Sequence, residues 1–444
     1  MVMNLERAKS IVLFLLIAIS TYLTWSIWTY KPELEKIDQG PFLVIDREEK
    51  TAGDVIKPSS ILIHRNQISY QISSPADLEK ASAQMNKWNL YNAKKLSTRM
   101  TKKEMDDFMH EDGTVEIIFP GDVPFQLYKN ALGMVNKEVP TFSFDRILYK
   151  QKDIHSKESI LYFVSSQELS ILEASITTKR LSAFHTTFFQ KANTYPEYVP
   201  RTVNNQHKVF VSKNEISLPR YKYLIDDLNI KNFKNALFAD PVNVRHETVV
   251  SGDEYTDSTR LLSIDKTTHM LSYINTNTSQ KVGMLSSPSD LLKKSIEFVN
   301  NHAGWKESNY RFAHLDEKNQ RVIFRLYHNG YPVFNHLGMS EIEEIWGKDE
   351  IYSYQRPYFT FQAADPFEQS VVSLPSGEEV LEQLKKMRNF DYFNLEDITI
   401  GYKLSMAPLD DNLMFLEPAW YYRSGSDWLA VPFDEAGGEI NGLE

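Results

Sequence analysis

Residues 287–301 read SPSDLLKKSIEFVNN, and residues 321–334 read RVIFRLYHNGYPVF. In the first stretch Ser287 precedes Pro288, and Asp290 lies at the third helical position. This gives an N-cap hydroxyl, a proline at N1 and an acid that meets the positive end of the helix dipole. Leu291, Leu292, Ile296 and Val299 then recur at helical spacing. The second stretch is two strand-like runs around Asn329-Gly330, a dipeptide suited to a two-residue hairpin turn. The same order returns downstream. Ser376-Gly377-Glu378-Glu379 is a capping box that opens a helix to about Asn389, with strands expected at 396–404, 412–421 and 427–433. Two helix-plus-hairpin units in residues 287–444 predict an α+β domain, with helices packed across antiparallel sheet.

Upstream, 257–264 and 268–275 alternate as strands around a turn at Asp265-Lys266-Thr267, and a short helix is expected near 220–228. Asn193–Asn205, punctuated by Pro196 and Pro200, is the expected domain boundary. It separates an N-terminal α+β domain (31–195) from a central domain (196–286) ahead of the C-terminal domain (287–444). The N-terminal domain is expected to hold strands at 42–46 and 60–72, the latter turning near Arg65–Asn66. Ser74-Pro75-Ala76-Asp77 repeats the helix-start signature for a helix to about Asn92, with Leu78, Ala81, Met85 and Trp88 on one face. Beyond it come a helix at 102–109, strands at 114–119 and 142–149, a hairpin at 159–165 and 169–177, and a helix over 178–191.

Ser10 to Tyr30, SIVLFLLIAISTYLTWSIWTY, contains no charged residue. At roughly 1.5 Å per residue this stretch spans about 30 Å, the thickness of a bilayer's hydrocarbon core. Arg7 and Lys9 precede it, whereas the charges that follow nearly cancel. The positive-inside rule then makes residues 1–9 a cytoplasmic tail, 10–30 a transmembrane helix, and the remainder extracytoplasmic. Arg7, Lys9, Trp25, Trp28 and Tyr30 are the expected interface anchors. Ala18-Ile19-Ser20 also resembles a signal-peptidase site, but the bulky Leu23, Trp25, Ile27 and Trp28 beyond it favour a retained anchor. Ala18, Ser20, Thr21 and Thr24 form a small and hydroxyl-bearing patch through which another membrane helix could approach. The competing reading has those hydroxyls bonded back to their own helix.

The 444 residues carry a net charge of −10 and no clustered basic stripe, which argues against a nucleic-acid partner. With no cysteine, thiolate nucleophiles, disulfides and cysteine-ligated metals are excluded. There is no phosphate-binding glycine loop and no nucleophile elbow. His302, His314, His328 and His336 are scattered rather than spaced as metal ligands, so no cofactor or metal is expected. Glu341, Glu343 and Glu344, and likewise Asp253, Glu254 and Asp257, read as surface charge. Arg423-Ser424-Gly425-Ser426-Asp427 reads as a turn. The aromatic groups Tyr352–Phe361 and Trp420–Trp428 read as core, with a protein-binding face as the alternative.

The opening NLERAKSIVLFLLIAISTYLTWSIWTYKPEL resembles the start of the YycH family, accessory membrane regulators of low-GC Gram-positive bacteria. The stretch Tyr255-Thr256-Asp257-Ser258-Thr259-Arg260 and the closing Leu416-Glu417-Pro418-Ala419-Trp420 are similar to that family too. The latter is also similar to the companion protein YycI. The resemblance implies an extracytoplasmic, multi-domain α/β protein that acts with YycI on the sensor histidine kinase WalK (YycG), largely through transmembrane helices. It implies a non-enzymatic regulator of a two-component system controlling cell-wall metabolism, and it carries over no catalytic residue. The alternative function is an extracytoplasmic wall-ligand receptor or envelope enzyme.

Overall fold

The computed structural model describes residues 13, 15–24, 49–97, 99–136, 138–155, 157–203, 207–279, 286–302, 304–305, 309–362, 370–388, 390–408, 410–425 and 427–433. The chain divides into two units, Met1–Leu43 and Val44–Glu444. In the first, residues 15–24 are helical, and the apolar side chains of Leu15, Leu16, Ile17, Ile19 and Leu23 are exposed. Among the described residues no helix is long and apolar enough to cross a membrane. Both ends of the expected span, and the expected strand at 42–46, lie outside the described residues.

The second unit is built on two sheets. The nine-stranded sheet uses β1 Ser60–Arg65, β2 Ile68–Ile72, β3 Tyr91–Lys95, β4 Thr114–Pro124, β5 Ser143–Lys150, β6 Glu158–Ser165, β7 Ser170–Thr177, β8 Glu197–Val203 and β9 His207–Ser212. Its order is β3-β7-β6-β5-β4-β1-β2-β8-β9. Asn66 and Gln67 both take positive φ, 56° and 62°, the conformation that lets a two-residue turn follow the strand twist. The helix opened by Ser74 stops at Met85, short of the expected Asn92. Asn89 and Asn92 are left-handed (φ 49° and 55°), which a helix cannot continue through, and the chain turns into edge strand β3. Of the proline-punctuated boundary, Glu197–Val203 with Pro200 form β8, which pairs with β2 at Ser69↔Tyr198.

The second sheet has 15 strands: β10 Ile216–Asp227, β11 Arg245–Val249, β12 Gly252–Thr256, β13 Arg260–Asp265, β14 Met270–Asn275, β15 Tyr310–Asp316, β16 Arg321–His328, β17 Tyr331–Phe334, β18 Glu341–Trp346, β19 Ile351–Pro357, β20 Phe359–Phe361, β21 Ser370–Leu374, β22 Asp397–Ala407, β23 Asp410–Ser424 and β24 Asp427–Ala430. Residues 220–228, expected as a helix, lie almost wholly in β10. Its alternating Tyr221, Tyr223 and Ile225 suit a pleated surface, and the helix begins only at Ile230, with Asn229 capping the Lys231 N–H at 3.0 Å. Both downstream helices start where the sequence places them. Ser287 Oγ accepts from Asp290 N at 3.2 Å, and Ser376 with Glu379 completes a reciprocal capping box.

Among the described residues all the strand pairs are antiparallel except β17 with β22, and this pair joins the two helix-plus-hairpin units into one sheet. The approach is close: a Cβ on Gly401 would lie 2.6 Å from the Phe334 ring, so only glycine fits there. A separate apolar core gathers Val203, Val209 and Val211 of β8–β9 with Val380, Leu381 and Leu384 of the helix Gly377–Lys386. Ile400, Trp420 and Tyr422 complete it. One hairpin of the first sheet therefore shares its core with the last helix.

Candidate functional site

Within residues 15–24, Thr21 Oγ1 donates to Ile17 O (2.8 Å) and Ala18 O (3.0 Å), and Thr24 Oγ1 donates to Ser20 O (2.8 Å). The threonine hydroxyls of the patch Ala18, Ser20, Thr21 and Thr24 are thus satisfied within their own helix. Arg7, Lys9, Trp25, Trp28 and Tyr30 lie outside the described residues.

Other sequence candidates disperse. His302 caps its helix through Phe298 O, while His328 lies among the rings of Tyr221, Tyr223 and Tyr402, where burial pushes its imidazole down to about 4. Among the described residues no three His, Asp or Glu side chains are grouped to hold a metal. Asp253 pairs with Lys266 (2.7 Å) and His246 (2.9 Å), and hydrogen bonds from both hold its carboxyl down at about 2. Of the two aromatic groups, Tyr354, Tyr358, Phe359, Trp420, Tyr421 and Tyr422 are buried.

The glutamates of β18 depart from the surface-charge reading. Glu341 and Glu343 face outward and pair with Arg325 and Arg321 across β16, the latter at 2.6 Å. Glu344 takes the inward register with Ile342 and Trp346 and is completely buried. Its Oε2 accepts from Trp346 Nε1 at 3.0 Å, and its Oε1 has no hydrogen-bond partner. Burial pushes its carboxyl up to about 8, against the weaker pull of Ser295 and Trp346.

The densest charged arrangement carries no local sequence motif, because its residues come from separate elements. On one face of the first sheet, His64 of β1 stands directly across from Ser69 of β2 and diagonal to Glu116 of β4. His64 Nδ1 is 2.9 Å from Ser69 Oγ, and its Nε2 is 2.6 Å from Glu116 Oε1. Arg146 of β5 donates to Glu116 Oε2 at 2.6 Å and lies 3.4 Å from Asp145. The helix Lys102–Met109 lays Asp106 and its C-cap His110 over the same spot. Asp106 accepts from the backbone N–H of Lys208 on β9 (3.0 Å), and Lys208 Nζ reaches its other oxygen at 2.7 Å. The Phe210 ring covers His64 and His110 at 5.3 and 4.8 Å.

Burial would push the Glu116 carboxyl up, but His110, Arg146 and His64 outweigh it and hold it at about 2. Asp106 follows the same logic: burial opposes ionisation, and His110 and Lys208 keep it well below the usual carboxylate range. On the far side His207 Nε2 donates to Glu396 O at 2.8 Å, so β9 also reaches the start of β22. This junction consists of paired charges buried between the first sheet, the helix Lys102–Met109 and β9. Its sequence traces were a lone Glu inside the apolar run Val115–Ile118 and a His closing Ile61–His64.

Residues 6–192 match the family of the YycH protein N-terminal domain, and residues 206–438 match that of its C-terminal domain. Over 435 residues, covering 94% of each chain, the sequence is 23% identical to the two-component system WalR/WalK regulatory protein YycH of Bacillus subtilis (strain 168). The fold is similar to the crystal structure of YycH from Bacillus subtilis, with a TM-score of 0.74 at 19% identity, covering 87% of this chain and 99% of that one. With both domain families matched in order along it, the chain belongs to the YycH family.

Proposed function

We propose that this protein is a non-enzymatic regulator of a two-component sensor histidine kinase that controls cell-wall metabolism. The similarity along 94% of the chain to a protein named as a regulator of the WalR/WalK system carries this reading. Residues 10–30 cross the membrane, with Arg7 and Lys9 on the cytoplasmic side and the bulk of the chain outside. The exposed apolar side chains of helix residues 15–24 support that placement. The partners are the kinase, of the WalK (YycG) type, and a YycI-like companion, met through the helix face bearing Ala18, Ser20, Thr21 and Thr24 and through extracytoplasmic contacts. Regulation requires that these contacts differ in free energy between the kinase's signalling states.

The test compares the full chain with an exported version lacking residues 1–30, reading kinase-dependent transcription in cells. Loss of regulation by the shortened chain is expected. Regulation as strong as that of the full chain would overturn the membrane-helix mechanism. Site-specific crosslinking from residues 10–30 is expected to peak with a period of about 3.6 residues.

A further inference from the structure

His110 occupies an unusual place in the buried junction. It is the C-cap of the helix Lys102–Met109, and its side chain is 4% exposed. Its Nε2 lies 3.5 Å from Glu116 Oε1, and its Nδ1 lies 3.2 Å from Asp106 Oδ1 without a hydrogen bond to it. A neutral imidazole carries one N–H and one lone pair. Whichever tautomer it took, a lone pair would face a carboxylate oxygen. The imidazolium sets a positive charge within 3.5 Å of both carboxylates, and that charge also suits the negative end of the helix.

Charge balance points the same way. Glu116, Asp106 and Asp145 are matched one for one by Arg146, Lys208 and a charged His110. His64 differs, because Ser69 can donate to its Nδ1 while its Nε2 donates to Glu116. A neutral ring is fully satisfied there. The remaining neighbours of His110 are accounted for. Phe210 of β9 is apolar, and Asp107 pairs with Lys103 at 2.6 Å, with Lys208 at 3.7 Å. Glu111 turns away to Lys150 and Lys152.

We propose that His110 is a proton-operated clasp on β9. With the proton on, it completes the charge set that holds Asp106 against Lys208 and so fixes His207–Ser212 to the helix Lys102–Met109. With the proton off, an ion pair is lost and a lone pair faces a carboxylate, so the clasp weakens as pH rises. The carboxylates of Glu116 and Asp106 stay ionised through the neutral range, which leaves the histidine as the member that changes. β9 also packs on the last helix, where Gly377 N donates to Ser212 Oγ at 3.2 Å. A proton at His110 therefore acts on the strand shared by the first sheet and the C-terminal core. This inference goes beyond the regulatory reading and stands without it.

The experiment is amide hydrogen exchange on the full chain in detergent, corrected for intrinsic exchange, at about pH 5.5 and about pH 8.5, either side of the ordinary histidine range. Protection of the β9 amides is expected to fall about tenfold from the lower to the higher pH. Protection in β13–β14 should stay level. His110→Gln is expected to show the high-pH protection at both values, and His64→Gln to keep the wild-type response. Equal β9 protection at both pH values in the wild type, or a pH response that persists in His110→Gln, overturns the proposal. Should His110→Gln not fold, Asp106→Asn serves: loss of its pH response supports the clasp, and retention overturns it.

Discussion

Trp346 donates its indole N–H to Glu344 Oε2 across 3.0 Å, and both side chains turn inward from β18. The carboxyl is held at about 8 instead of 4.5, chiefly by burial, so the folded protein keeps it protonated at neutral pH. Its contribution to stability is complete below about pH 4.5 and declines as pH rises towards 8. Glu344→Gln is expected to flatten that decline, with a gain at pH 8 whose upper limit is on the order of 4–5 kcal/mol. Denaturant unfolding at several pH values checks it; an unchanged slope in the variant contradicts it.

Arg146 and Glu116 are a buried pair in which each depends on the other. Arg146→Met leaves Glu116 without its guanidinium partner and is expected to cost about 3–5 kcal/mol. The double change Arg146→Met with Glu116→Leu is expected to recover part of that loss, because the buried carboxylate is removed together with its guanidinium. A double-mutant cycle by urea unfolding reads the coupling directly.

Gly377 opens the last helix against Val211, where an added Cβ would lie 2.2 Å from the valine Cβ. Gly377→Ala is expected to destabilise the protein by about 1–3 kcal/mol, as overpacking does. Val211→Gly in the same chain, which removes the clashing Cβ, is expected to cancel part of that cost. Thermal unfolding of the single and double variants separates relief of the clash from general loss.

Much of the fold could be read from local signals. The starts at Ser74, Ser287 and Ser376 were legible because a cap is settled within four residues. The Asn329-Gly330 turn was legible for the same reason, with φ of 47° and 83°. What escaped depends on long-range placement. The inward register of Glu344 is fixed by what covers that face of β18, and three nearby glutamates give no hint which one turns in. β10 takes strand rather than helix geometry because Tyr221 packs on His328 of β16 and Tyr402 of β22, strands far along the chain. The junction assembles His64, Asp106, His110, Glu116, Arg146 and Lys208 from separate elements, and only the sheet order brings them together.

The core shared by β8–β9 and the last helix also sets an order of events. A chain made from its N-terminus presents Val203, Val209 and Val211 long before Val380, Leu384 and Trp420 exist to cover them. Until those residues arrive, the newborn first sheet carries a raw apolar flank beside its outermost strand. Completion of the molecule is thus a closing step, in which the final segment seals a surface laid down near the middle of synthesis.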